Sequence, residues 1–147
     1  MKEFVITAKN NPKIKEVKSL LTSSKDRKNS GLFVVEGVRL CLDALLSRCE
    51  IENVFCTENC AEKYGEEIAT LRDGCKSFYT VSNDVIKTIS DTVTPQGVVC
   101  TVKMKQNSFE YEKGKKYIAL DTIQNPDNLG AISRTAEALG LDGMVIF

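Results

Sequence analysis

Histidine is absent from this 147-residue sequence, which excludes a Cys/His zinc site. Six cysteines are present, at 41, 49, 56, 60, 75 and 100. They stand singly inside apolar or helical stretches, and Cys56 with Cys60 is a weak signal, so no metal site is expected and the thiols read as reduced and mostly buried. The glycines that let backbone cradle a pyrophosphate are missing too, so no dinucleotide or Walker-type loop is present. No apolar run reaches the length of a membrane span and no signal peptide is visible, which makes the cytoplasm the expected compartment. What remains is 42% apolar and 27% charged, a globular composition of a size that suits one ordinary domain or a small domain with part of another.

A net charge of zero hides an uneven distribution. Residues 1 to 28 hold eight bases against three acids, ending in Lys25, Arg27 and Lys28. Such an excess suits phosphates, and equally suits a solvated helix face.

Asn11-Pro12 opens a helix with Ile14, Val17 and Leu21 as its buried stripe, and Thr22 to Gly31 reads as a polar, basic loop. Leu32 to Val35 is a short strand, followed by Glu36-Gly37 and a helix carrying Val38, Arg39, Leu42 and Leu45. Ile51 to Cys56 is the next strand, Glu62 to Leu71 a charged helix and Phe78 to Val81 another strand. Ser82 caps a helix with Val85, Ile86 and Ile89, and the turn-rich Ser90 to Gly97 leads into the β-branched strand Val98 to Val102. This alternation predicts a compact three-layer α/β/α domain over residues 1–104. A polar linker, including Gln106-Asn107-Ser108 and Gly114, occupies 105–116, and a second unit begins at 117.

That second unit is organised by Asp121 to Gly140, which lies between the apolar segments Tyr117-Ile118-Ala119-Leu120 and Met144-Val145-Ile146-Phe147. A loop and helix between two strands predicts a right-handed crossover with parallel strands, its loop at the strand end where open α/β sheets bind ligands. Asn128 is the expected N-cap, with Pro126 outside the helix and Gly140 as the stop. Ile132, Ala136 and Leu139 face the sheet. Arg134 lies about 200° from Ile132 and Ala136, pointing toward solvent, a ligand or a partner.

The run Asp121, Asn125-Pro126, Asn128, Gly130, Arg134-Thr135-Ala136 and Gly140 resembles the first signature motif of the SpoU (TrmH) family of RNA ribose 2′-O-methyltransferases. Phe33 with Glu36-Gly37, and Thr94-Pro95-Gln96-Gly97, resemble two shorter sequences of that family's N-terminal substrate-binding domain. The resemblance implies that 117–147 begin a SPOUT-type, trefoil-knotted methyltransferase domain and that residues 1–104 recognise RNA. Ribosomal RNA is the implied substrate, with transfer RNA open. It implies catalytic roles for Arg134 and Asn128, and RNA contacts from Lys25, Arg27, Lys28, Glu36 and Arg39. For Glu36 a local hydrogen bond or ion pair to the preceding loop is the competing reading, and for Asn128 it is helix capping.

The family's two later motifs, which bind S-adenosylmethionine and contribute to a homodimer interface, are not in this sequence. No cofactor-binding residue is therefore expected here, and the chain alone is expected to be inactive. Two strands cannot cover a crossover helix and bury their own faces, so the chain reads as the N-terminal part of a longer enzyme. Two rivals stand beside this reading: a non-catalytic RNA-binding protein, and a small-molecule enzyme on a doubly wound sheet. The second rests on fold analogy alone.

Overall fold

The computed structural model describes residues 2–105 and 110–147. They fall into two compact units, Met1–Lys105 and Gln106–Phe147. Gln106-Asn107-Ser108 of the expected linker lie outside the described residues.

The first unit is built on a five-stranded sheet in the order β1-β4-β3-β5-β2, from β1 (Lys2–Ile6), β2 (Leu32–Glu36), β3 (Ile51–Cys56), β4 (Cys75–Val81) and β5 (Val98–Lys103). β1, β4 and β3 pair in parallel, while β5 runs antiparallel to both β3 and β2. β2, β3 and β4 therefore all finish at one edge of the sheet, where β5 starts. The central strands are covered on both faces, which is why their sequences are nearly continuous apolar runs. Val54, Phe78, Cys100 and Val102 pack on one face, and Phe55, Tyr79, Val81 and Val99 on the other. Ile14 and Val17 of α1 (Pro12–Thr22) cover the second face, and Cys41 of α3 (Val38–Leu46) with Ile68 and Leu71 of α5 (Gly65–Gly74) cover the first. The buried polar side chains of Asn53 and Thr101 on neighbouring strands satisfy each other, Asn53 Nδ2 donating to Thr101 Oγ1 at 2.8 Å.

The structure departs from the sequence expectations at several points. The basic segment after α1 is a helix, α2 (Ser24–Ser30), not a loop. Ser23 caps it by accepting from the Asp26 N–H, Asp26 sits in the first turn, Arg27 and Lys28 in the last, and Gly31 closes it at φ +65°. It buries no side chain, so capping and dipole chemistry define it without any apolar period. Leu20 rather than Leu21 completes the buried stripe of α1. The charged helix is two helices, α4 (Glu58–Lys63) and α5, because Tyr64 between them leaves helical backbone. Strand β1 was not anticipated. Its exposed Val5 and half-exposed Phe4 make a weak period, and Phe4 is held by stacking on Tyr79 with ring centroids 5.2 Å apart.

The second unit is a two-stranded parallel sheet of β6 (Tyr117–Leu120) and β7 (Gly143–Ile146), joined by α7 (Pro126–Ala138). Pro126 occupies the first turn and the cap is Asn125, whose Oδ1 accepts from the Asp127 N–H at 2.8 Å. Asn128 is therefore inside the helix, which begins about one turn earlier than expected. Proline at a first helical position is favourable because its missing N–H has no intrahelical partner anyway. Gly140, at φ +69°, ends the helix as expected: its N–H reaches the Glu137 carbonyl and that of Leu141 reaches the Ala136 carbonyl, a Schellman closure. Ala136 is buried, but Leu139 is 71% exposed and does not join the face against the sheet. No described helix is long and apolar enough to cross a membrane.

Candidate functional site

At the edge of the first unit where β2, β3 and β4 end, Glu36 fastens the connection that enters β5. Its carboxylate accepts from the hydroxyls of Ser90 and Thr92 and from the Asp91 N–H. Gln96 Oε1 accepts from the Val38 N–H at 3.0 Å, and the Gly37 N–H donates to the Val98 carbonyl. Glu36 thus binds the loop of residues 90–92, distant in sequence, and not the preceding segment. Antiparallel pairing sets Glu36 opposite Val99, which brings that loop within reach. Partial burial opposes charge on Glu36, but the hydroxyls of Ser90 and Thr92 and the backbone N–H groups of Asp91 and Thr92 outweigh it and hold the carboxyl below its ordinary pKa.

Beyond the fastened residues the same connection continues through 94–97, which form one wall of a cleft of about 480 Å³ whose other walls come from α4 and from α6 (Asn83–Ile86). Lys63 and Lys87 stand in its lining, which holds no carboxylate. Asn59, Asn83 and Gln96 add amides, and the partly exposed Tyr64 and Pro95 add apolar surface. Gly97 makes the close packing possible. It sits at φ +95°, and a Cβ there would fall 2.5 Å from Thr57 Oγ1 and 2.9 Å from Cys60 Cβ. Burial pushes the Cys60 and Cys56 thiols up, which keeps them protonated and removes them as nucleophiles. A neighbouring concavity shares Thr94 and Gln96 with the cleft and reaches Arg39. The Arg39 side chain is 94% exposed, with one long ion pair to Asp43 at 3.9 Å.

The structure does not bring the five sequence-identified RNA residues together. Glu36 and Arg39 lie at this edge. Lys25, Arg27 and Lys28 lie on α2, which ends one residue before β2 begins and so belongs to the opposite edge, roughly 15 Å away along a five-residue strand. Arg27 is committed locally, its Nη1 donating to the Leu20 carbonyl at 2.7 Å and capping α1; Lys25 and Lys28 are exposed. Lys63, Lys87 and Asn59 carry no spacing signal in the sequence, because the short elements that bring them to the cleft lie far apart along the chain.

In the second unit, the loop leaving β6 carries Thr122 at φ +54°, a conformation a β-branched residue rarely adopts. Its hydroxyl donates to Asp121 Oδ1 at 2.7 Å. Arg134 is exposed, as its position opposite the buried face requires, and lies one turn above Gly130, where an added Cβ would sit 3.4 Å from Nη1. Long helical side chains lean toward the N-terminus, and the guanidinium accordingly lies back over Gly130, at a distance that an added methyl would still allow. With Asn125 serving as the cap, the exposed Asn128 side chain has no hydrogen-bond partner among the described residues.

Comparison with known proteins adds to this geometry. Residues 11–100 match the family described as the MRM3-like substrate binding domain. The chain is 29% identical over 141 residues to the 23S rRNA (guanosine(2553)-2′-O)-methyltransferase RlmP of Bacillus subtilis, covering 96% of this chain and 53% of that protein. The crystal structure of an rRNA methyltransferase from Sinorhizobium meliloti superposes with a TM-score of 0.81 at 29% identity, over 99% of this chain and 55% of that one. The AdoMet-bound crystal structure of an rRNA methyltransferase from Sinorhizobium meliloti gives 0.75, also at 29% identity, over 98% and 54% of the two chains. The chain spans about half the length of the relatives it matches.

Proposed function

Because the chain belongs to the MRM3-like substrate binding domain family, we propose that it supplies RNA recognition and one catalytic helix to a longer, S-adenosylmethionine-dependent ribose 2′-O-methyltransferase of ribosomal RNA. Residues 1–104 take the substrate-recognition role, 105–116 the linker, and 117–147 the start of the methyltransferase domain. The observation that carries the catalytic half is Arg134, exposed, without an ion pair among the described residues and with its Nη1 over Gly130.

A ribose 2′-hydroxyl is a weak nucleophile, and the protein must orient it and manage the charge that develops as its proton leaves. Arginine stays protonated at any working pH, which makes it a poor base. Its planar fork suits two tasks here: donating to the developing alkoxide and holding the adjacent phosphate. Asn128, free of the capping duty, orients the arginine or the RNA backbone.

S-adenosylmethionine supplies the methyl group in such an enzyme. The open groove of about 230 Å³ on α7 is lined by Ile118, Ile132, Leu139 and Leu141 among others, with Thr135 as its one polar side chain. It offers no charged partner for an amino-acid moiety, so these residues do not fit the cofactor, and its pocket is assigned to the remainder of the longer protein. Ribosomal RNA as substrate fits a cytoplasmic protein, and the reading includes a homodimer.

Arg134→Ala in the longer protein tests the catalytic assignment. Transfer of labelled methyl to 23S rRNA should fall by about 10²-fold or more, the scale of losing one donor to a developing oxyanion, with RNA affinity nearly unchanged. Normal turnover by that variant would remove the role from Arg134.

A further inference from the structure

Cations alone do not distinguish the two edges of the first unit's sheet, because Lys25 and Lys28 on α2 are as exposed as Lys63 and Lys87. Shape does distinguish them. At the α2 edge Lys76 is engaged by Glu50 and Glu52, and Lys103 by Glu50. At the other edge, Lys63 and Lys87 border a concavity without a carboxylate in its lining. Neither makes an ion pair with any described residue.

We infer that this cleft receives an unpaired nucleotide of the RNA substrate, with its flanking phosphates on Lys63 and Lys87. A volume of about 480 Å³ is within the range of small-molecule sites. The amides of Asn59 and Asn83 present both donors and acceptors to a base edge, and the partly exposed Tyr64 and Pro95 in the lining give the base apolar surface. Splayed-out single-stranded bases are what proteins read in RNA, since the grooves of a paired helix hide base edges. Gln96 contributes mainly by shape. Its Oε1 already accepts from the Val38 N–H, so it fixes the wall formed by residues 94–97. The inference deepens the RNA reading given above and rests on it.

The test is fluorescence anisotropy on the full 147-residue chain, at stated salt, with a labelled RNA stem-loop and with a fully paired RNA duplex of the same composition. Lys63→Glu combined with Lys87→Glu should weaken stem-loop binding by at least about 10-fold. The salt slope should fall by about 1.4, from two phosphate contacts at about 0.7 each. Lys25→Glu combined with Lys28→Glu should change affinity less than about 3-fold. Asn59→Ala should narrow the stem-loop preference over duplex while leaving the salt slope in place. All five positions are exposed, and thermal melting checks that each variant folds.

If the Lys25/Lys28 variant loses binding while the Lys63/Lys87 variant keeps it, the cleft proposal is overturned and RNA recognition stands. Equal affinity of the unaltered chain for stem-loop and duplex overturns the unpaired-nucleotide claim in the same way. If neither RNA binds the unaltered chain, the RNA reading fails and this proposal fails with it.

Discussion

The first unit buries two apolar clusters, one on each face of a five-stranded sheet, whereas the second buries Leu120 and Ala136 among its described hydrophobic side chains. The same chain thus carries one unit that specifies itself through a core and another held mainly by backbone. In the second, β6 and β7 pair through four residues each. The Lys116 N–H donates to Asp142, whose carboxyl is held below its ordinary pKa by that bond and by Lys115 beyond it. Two strands with one helix leave the apolar groove on α7 uncovered. The proposed recognition cleft therefore sits on the unit with the buried core, while Arg134 sits on a helix with little to fix it from these residues alone.

Phe55→Ala should sharpen this contrast most. Phe55 is fully buried at the centre of the sheet and stacks on Tyr79 with centroids 4.9 Å apart, so its loss should lower the first unit's stability by about 3–5 kcal/mol. A urea titration should show that unit's transition moving, with amide exchange in β6 and β7 unaffected. A shift of both units together would break the comparison.

Gly97→Ala is expected next, at about 2 kcal/mol, from strain at positive φ and a Cβ overlapping Thr57. It should also deform the cleft wall, so its melting temperature and RNA affinity should fall together.

Glu36→Gln should be smaller, about 1 kcal/mol, because the charge-assisted bonds it weakens are partly open to water. The pH signature is more specific than the magnitude. The folded pKa of Glu36 lies below the ordinary 4.5, so its contribution is complete above that value and is lost as pH falls through the lowered one. Amide exchange of residues 90–97 should accelerate over that acid range in the unaltered protein and not in the Gln variant.

Gly130→Ala should have the smallest effect and the opposite sign. It should stabilise α7 by roughly 0.5–1 kcal/mol through helix propensity, since the new methyl meets only Arg134 Nη1 at ordinary contact distance. Exchange rates in α7 should slow and those in the first unit should not.

The parts of this structure legible in the sequence were those written in apolar period or in glycine and proline. β3 and β6 occur where their apolar runs stand, and Gly140 stops α7 as expected. The misses share a cause. α2 has no buried side chain, and β1 exposes most of its residues, so neither leaves a period to detect. Asn125 and Asn128 are equally good caps in isolation, and only the preference of Pro126 for a first helical turn separates them. In the site, Arg134's exposure followed from helical geometry. The partners of Glu36 did not, because residues 90–92 reach it through the antiparallel pairing of β2 with β5, a long-range fact. The cleft was invisible for the same reason: α4, α6 and the loop of residues 94–97 meet only in space.

The proposed division gives recognition to the first unit and leaves these residues an arginine but no cofactor pocket. It is tested most directly by calorimetric titration of the 147-residue chain with S-adenosylmethionine, beside a titration with structured ribosomal RNA at stated salt. The expected result is RNA binding with no heat from the cofactor. Saturable binding of S-adenosylmethionine, or no binding of RNA, would contradict it.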